Sequence, residues 1–192
     1  MKKFASHSAL FIGLILISYP HLALKISFLP QFTFKLHHWS TDAAAWKVKP
    51  GSIYDGDTLR VVRGEEELKI RFCGIDAPER DQELGIESRD YLRSLVSLGN
   101  GELLLVPIEK DRYERTVAEV YVQDRKDSAI PLNLQMVRDG YAWHYERYSG
   151  NCPSGQQFAI AQELAQSERL GIWQQGNPQP PWDYRKSKKA KK

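Results

Sequence analysis

The chain has 192 residues, of which 42% are hydrophobic and 11% aromatic. This composition suffices for one domain with a real core and excludes a chain that is disordered throughout. The formal net charge of +3 is unevenly distributed, because residues 46–175 contain 17 Lys and Arg against 22 Asp and Glu, a net charge of −5. Bulk charge therefore does not predict a nucleic-acid partner.

The N-terminal segment, residues 1–24, predicts export from the cytoplasm. Lys2 and Lys3 precede the apolar run ALFIGLILIS, and no Asp, Glu, Lys or Arg occurs from Phe4 to Leu24. This pattern is typical of a secretory signal peptide, but the run is also long enough to serve as an uncleaved membrane anchor. Both alternatives make the protein secreted or membrane-anchored, facing outside the cytoplasm. Residues 25–45 are aromatic-rich without a clear period, and we interpret them as a spacer.

Residues 46–175 have the pattern of one β-rich domain. TLRVV and ELKIRF alternate and are joined by RGEE, which predicts a β-hairpin. Leu68, Ile70 and Phe72 then share one face of the second strand. IESRDYLRSLVSLG has apolar residues at helical spacing. ELLLVPIE and TVAEVYVQD indicate two further strands, and PLNLQMVRDG and SGQQFAIAQELAQSERLG two further helices.

This order of elements predicts an α+β fold that is mainly β barrel. Three strands, a helix, two strands and two helices suit a five-stranded OB-fold barrel with about three packed helices. Cys73 and Cys152 are the only cysteines. In an exported protein they are a disulfide candidate, and two separate buried thiols are the alternative.

The last residues, 176–192, are predicted to be a basic flexible tail. RKSKKAKK, residues 185–192, carries six positive charges. Such a run can hold a polyanion near a domain without reading its sequence. A solvated tail without a role is the alternative.

Acidic residues and an arginine lie at the ends of the predicted hairpin. Asp57 opens one strand and Asp76 closes its partner, so antiparallel pairing should let both carboxylates reach one cation. Clustered carboxylates repel one another unless a positive charge compensates them. Arg71 projects from the same strand as Asp76, and Glu79 follows Pro78. A cation, an arginine and a carboxylate together predict phosphoryl chemistry.

Three segments of the sequence carry a family resemblance. YDGDT, RFCGIDAPE and DRYERTVAEVYV resemble the signature segments of the staphylococcal nuclease (thermonuclease) family, in family order and at similar spacing. LNLQMVRDGYAW and ERLGIW are similar to its C-terminal helices. The resemblance covers roughly Val48 to Trp173. It implies the same OB-fold barrel that the order of elements predicts.

The resemblance also implies a calcium site. Asp57 and Asp76 match the calcium carboxylates, and the backbone carbonyl of Ala77 matches a third ligand, so Ca²⁺ is the expected cofactor. Asp55 matches a residue of the second coordination shell near metal-bound water. Thr58 matches a residue that supports the site.

The catalytic and substrate-binding roles are carried over in the same way. Glu79 matches the proposed general base, and Arg71 and Arg115 match the two arginines that bind the scissile phosphate. Glu114 stands where a glycine commonly precedes that second arginine. Tyr113 matches a tyrosine near the terminal phosphate of the nucleotide.

The second nucleotide-facing tyrosine is assigned to Tyr148, with Tyr145 as the alternative. The resemblance thus implies a calcium-dependent, sugar-nonspecific endonuclease that hydrolyses DNA and RNA and leaves 3′-phosphate ends. We expect a monomer with no protein partner, and contact with a membrane only if the N-terminal segment is uncleaved. The alternative function is a catalytically weak nucleic-acid-binding OB-fold module of the cell envelope.

Overall fold

The computed structural model describes residues 45–123 and 129–191. The predicted signal peptide or anchor and nearly all of the predicted spacer lie outside these residues. The strands in chain order are β1 (Trp46–Val48), β2 (Thr58–Arg63), β3 (Glu66–Phe72), β4 (Ile75–Asp76), β5 (Glu102–Lys110), β6 (Thr116–Gln123), β7 (Ala129–Pro131) and β8 (Trp143–His144). The α-helices are α1 (Gly85–Ser97), α2 (Leu132–Arg138), α3 (Gly155–Ser167) and α4 (Pro181–Ala190), and 3₁₀ helices occur at Glu146–Tyr148 and Gly171–Gln174.

The predicted hairpin is present as β2 and β3. The two strands pair antiparallel from Thr58 opposite Arg71 to Arg63 opposite Glu66. Ile70 and Phe72 are buried, as the alternation predicts, and Leu68 is partly buried. Each fully buried side chain of this size contributes about 1.5–3 kcal/mol relative to an exposed one. Burial of one face therefore fixes the register of the hairpin.

Closure of the sheet produces the predicted five-stranded barrel. The strand order is β3-β2-β1-β5-β6-β7, and β3 also pairs with β6. This last pairing is parallel and places Ile70 opposite Thr116 and Arg71 opposite Val117. Strands β1, β2, β3, β6 and β5 therefore form a closed ring, which confirms the α+β, OB-type fold.

Helices cover the barrel, with one helix more than expected. The three predicted helices are present as α1, α2 and α3. In α1 the expected apolar stripe is only partly buried, because Leu92 and Leu95 face the core and Ile86 and Leu98 are exposed. None of the helices within residues 45–123 and 129–191 has the length and apolar character that a membrane crossing needs.

The fourth helix, α4, lies in the segment predicted to be a flexible tail. The prediction differs from the structure there, because Pro181–Ala190 is helical. Proline stands in the first helical turn with Asp183, and Lys188 and Lys189 stand in the last turn. Proline at the start and cations near the C-terminus both favour a helix, the second through the helix dipole.

Three short links tie the segment after β3 to the C-terminal half of the chain. Cys73 and Cys152 form a disulfide, with 5.9 Å between their Cα atoms. Strand β4 pairs antiparallel with β8, which places Asp76 opposite Trp143. The Tyr145 N–H donates to the Gly74 carbonyl at 2.8 Å. The segment that follows β3 is therefore fixed on both sides.

Candidate active site

The turn before β2 presents Asp57 at the rim of the barrel. The Asp57 N–H donates to Asp55 Oδ1 at 3.1 Å, which closes a tight side-chain turn. Only glycine fits between the two aspartates, since a Cβ on Gly56 would lie 2.8 Å from the Cβ of Ala77 and collide with Ser88 Oγ. The turn is thus pressed against the segment that carries Ala77.

The second carboxylate, Asp76, approaches from β4. The sequence prediction that Asp76 closes the hairpin strand is wrong, because β3 ends at Phe72 and Gly74, with φ of 73°, turns the chain first. Asp76 and Asp57 are nevertheless brought together. Asp57 Oδ2 accepts the N–H of Ala77 at 2.7 Å, and Oδ1 accepts the hydroxyl of Thr58 at 3.1 Å.

Arg71 lies between Asp57 and Asp76 and binds both carboxylates. Its guanidinium forms an ion pair with Asp57 through Nη1 and with Asp76 through Nη2 at 2.8 Å, and Nη2 also donates to the Ile75 carbonyl at 3.0 Å. Burial alone would lower the pKa of Arg71, but Asp57 and Asp76 more than offset this and raise it. Arg71 is therefore a fixed positive charge within the carboxylate pair.

Negative charge remains in excess around this arginine. Burial, and then the charge of Asp57, raise the pKa of Asp55 to about 7. Burial also raises the pKa of Asp76, against the opposing effect of a hydrogen bond from Arg185. Asp57 and Asp76 are only 5% and 1% exposed. An additional cation would stabilise the ionised forms of all three carboxyl groups.

The chemistry of these donors fits a hard cation. Asp55, Asp57 and Asp76 offer only oxygen atoms, which Ca²⁺ and Mg²⁺ prefer. Among the residues that the structure describes, no three His, Cys, Asp or Glu side chains form a ready-made metal-binding group. A cation at this rim would therefore complete its coordination with backbone carbonyls or water.

Glu79 is joined to the carboxylate pair through α4. Arg185 Nη1 forms an ion pair with Glu79 Oε1 at 2.7 Å, and Nη2 forms one with Asp76 Oδ2 at 2.7 Å. The sequence interpretation missed Arg185, because it treated residues 176–192 as a tail. The signal that could have found it is the helix-start pattern at Pro181 and Asp183.

Arg115 and Tyr113 lie on a separate loop. The loop precedes β6, and Asp111 fixes it by accepting the N–H and Nε of Arg115 at 3.0 and 2.7 Å. Within the described ranges, no hydrogen bond or ion pair joins Arg115 to the carboxylate pair. Glu114 has a φ of 59°, the left-handed region that favours the glycine common in the family. Tyr113 is 62% exposed.

The predicted nucleotide-facing tyrosines lie beyond β8. Tyr148 is 56% exposed and packs edge-on against Tyr145, with ring centroids 4.7 Å apart. Tyr145 is also stacked on Trp182 of α4, at 4.9 Å and an interplanar angle of 13°. The structure thus places both candidates together but covers one face of Tyr145.

The fold and the candidate site together define the class of protein. The protein is an α+β, OB-type barrel with carboxylates and an arginine gathered at one rim. The chain belongs to the staphylococcal nuclease family. The family model described as "Staphylococcal nuclease homologue" matches residues 69–175.

Several curated proteins are similar to this chain. An "Uncharacterized endonuclease" of Haemophilus influenzae is 40% identical over 138 residues, which cover 71% of each chain. An "Uncharacterized endonuclease" of Escherichia coli O157:H7 is 35% identical over 137 residues, 71% of this chain and 82% of the relative. A "Micrococcal nuclease" of Shigella flexneri is 35% identical over 141 residues, 71% of this chain and 79% of the relative.

Proposed function

We propose that this protein is a calcium-dependent endonuclease that hydrolyses phosphodiester bonds of DNA and RNA. The observation that carries the proposal is the buried pair Asp57 and Asp76 with Arg71 fixed between them. A stability role does not require two desolvated carboxylates that share one arginine, since a packed apolar group is often as stable. Family membership and the printed names of the relatives support the nuclease assignment.

In this proposal, Asp57, Asp76 and the backbone carbonyl of Ala77 would hold Ca²⁺, and Asp55 would support the site from behind them. When bound, the cation supplies positive charge that stabilises the phosphate as negative charge develops on it. Burial, and then the charge of Asp57, raise the pKa of Asp55, and a cation held by Asp57 and Asp76 would favour its ionised form. Thr58 orients Asp57 through its hydroxyl hydrogen bond.

The chain's own side chains perform the proton transfer and bind the phosphate. Glu79 accepts a proton from water at a carboxylate oxygen, and the water oxygen forms a bond to phosphorus while the bond to the 5′-oxygen breaks. The released 5′-oxygen takes a proton from solvent, and the phosphate remains on the 3′-oxygen. Arg71 and Arg115 donate N–H groups to the phosphate oxygens, a role that suits the planar guanidinium.

Substrate binding beyond the phosphate is assigned to aromatic side chains. Tyr113 and Tyr148 are both more than half exposed, and an exposed ring can stack on any base or pack against a sugar. Contacts of this kind do not depend on a 2′-hydroxyl, which supports the absence of sugar specificity. We further propose that the protein is a monomer outside the cytoplasm, where the Cys73–Cys152 disulfide is stable.

One set of digestions tests the proposal. Supercoiled plasmid, a single-stranded DNA oligonucleotide and an RNA of the same sequence are incubated with the full-length chain in Ca²⁺, Mg²⁺ or EDTA. We expect cleavage of all three in Ca²⁺ and none in EDTA. The 3′ ends should block polymerase extension until a phosphatase removes the terminal phosphate.

The matched variants are Asp57→Asn and Asp90→Asn. Asp57→Asn keeps the size of the side chain but removes the charge, so cleavage should fall at least about 10³-fold with an unchanged circular dichroism spectrum. Asp90 lies on α1 and pairs only with Arg89 and Arg93 among the described residues, so its variant should cleave normally. If the wild-type chain binds DNA without cleaving it, the protein is the binding module instead.

A further inference from the structure

Helix α4 places a cation on two of the proposed catalytic carboxylates. Arg185 donates to Asp76 Oδ2 and Glu79 Oε1, each at 2.7 Å, and its side chain is 39% exposed. Under the proposed function, Asp76 is a cation ligand and Glu79 is the general base. One guanidinium therefore occupies both groups at once.

The same helix places a planar ring on the aromatic side of the site. Trp182 lies nearly parallel to Tyr145, with centroids 4.9 Å apart. Stacking of this kind is how aromatic side chains hold nucleobases. Arg185 and Trp182 are three residues apart on one helix. The charged group covers two proposed catalytic carboxylates, and the ring covers Tyr145, the alternative nucleotide-facing tyrosine, while Tyr148 stays exposed.

Polar contacts at the surface hold α4 in this position. Tyr184 donates its hydroxyl to the Asp81 carbonyl at 3.0 Å, Lys188 forms an ion pair with the Asp81 carboxylate, and Gln82 donates to the Gln179 carbonyl at 2.6 Å. Pro181 is the one buried residue of the helix. The Lys188–Asp81 pair is exposed, and exposed pairs are weak and screened by salt. Displacing the helix therefore requires mainly that Arg185 leave Asp76 and Glu79 and that Trp182 leave Tyr145.

We infer that residues 176–191, here named the C-terminal strap, are an autoinhibitory element that covers the catalytic site until nucleic acid displaces it. A nucleic acid presents many phosphates to the basic side chains of the strap and gains affinity by counterion release. Asp76, Glu79 and Asp81 offer only a few carboxylates in competition. The phosphates of the substrate therefore compete with Asp76, Glu79 and Asp81 for the basic side chains of the strap, and the strap leaves the site when the phosphates bind them. This inference rests on the proposed function.

Hydrogen exchange measured on the full-length chain tests whether the strap opens. In EDTA, amides of Asp183–Ala190 should be protected in the free protein and should exchange at least about tenfold faster with a saturating single-stranded DNA 20-mer. Arg185→Ala should exchange fast without DNA. Lys69→Ala is the matched control, because Lys69 is exposed, lies on β3 outside the strap, and has no side-chain hydrogen bond or ion pair among the described residues. Slower or unchanged exchange on DNA binding, or a protected strap in Arg185→Ala, overturns the inference.

Cleavage rates separate this inference from the proposed function. A dinucleotide is too short to engage the strap lysines, so Arg185→Ala should cleave it about tenfold faster than wild type and Lys69→Ala. On long DNA, which opens the strap by itself, the variants should differ less than about threefold. If all three proteins cleave the dinucleotide equally, the strap is not inhibitory although the nuclease assignment stands. If none cleaves any substrate while the exchange results are as expected, the nuclease assignment fails and a covered nucleic-acid-binding site remains.

Discussion

The disulfide between Cys73 and Cys152 should supply a large part of the stability of the domain. It joins residues 79 positions apart. In the chain-entropy treatment, closing a loop of that length disfavours the unfolded chain by about 4.5 kcal/mol at 25 °C. Both sulfur atoms are buried, so replacing both cysteines with alanine also leaves a small cavity, which costs about 1 kcal/mol. Measured disulfides often fall short of the entropic value, so we expect a net loss of about 3–4 kcal/mol.

Urea unfolding followed by tryptophan fluorescence measures this loss. The proteins compared are oxidised wild type, wild type reduced with a thiol reagent, and the Cys73→Ala/Cys152→Ala double variant. The double variant should still fold, because single domains are typically stable by about 5–15 kcal/mol. The free energy of unfolding of the double variant should match that of reduced wild type within about 1 kcal/mol. A loss below about 1 kcal/mol, or two free thiols in the exported protein by non-reducing mass spectrometry, would refute the reasoning.

The remaining predictions concern the site and the strap. Arg71→Lys should lower the cleavage rate at least about 10³-fold, because one ammonium cannot hold two carboxylates and present a planar fork; a normal single-turnover rate contradicts this role. Arg115→Lys should lower it by about 10²-fold or more on the same assay, and wild-type cleavage would show that Asp111 keeps Arg115 away from the phosphate. Glu114→Gly should raise the free energy of unfolding by up to about 1 kcal/mol, because glycine adopts the left-handed φ of this position without strain. Urea unfolding of both proteins measures the change, and a lower midpoint for the variant would show that Glu114 is not strained. Lys186→Ala with Lys189→Ala should make the slope of log affinity for DNA against log salt less steep by about two, and an unchanged slope shows that the strap lysines do not contact phosphates.

Local patterns predicted the barrel and the centre of the site. The period-2 alternation in TLRVV and ELKIRF specifies both the hairpin and its buried face, which Ile70 and Phe72 confirm. Hairpin pairing also brings Asp57 beside Arg71, because Thr58 lies opposite Arg71, a contact that was not predicted from the sequence. These inferences succeed because they depend on neighbours along the chain or on one strand pairing.

Apart from the Cys73–Cys152 disulfide candidate, the contacts between distant segments that shape the site were not predicted from the sequence. Strand β4 has two residues and therefore no period, so the prediction left Asp76 on β3. Arg185 is 109 residues from Asp76, and nothing in the basic run RKSKKAKK distinguishes it from the neighbouring lysines. The sequence ranked Tyr148 above Tyr145 but could not show the contact that separates them, because Trp182 stacks on Tyr145 only in the folded chain.

The pairing of β4 with β8 predicts how substitutions in residues 143–148 affect activity. This ladder is two residues long, and it joins the backbone of Asp76 to that of Trp143, immediately before the tyrosine segment. The carboxylate and the aromatic rings are therefore mechanically coupled through the main chain and cannot shift independently. We expect changes that loosen residues 143–148 to alter turnover as well as affinity, although none of these side chains takes part in the proton transfer. Under the proposed function, this backbone pairing would set the distance between the phosphate at Asp76 and a base bound beside the tyrosines.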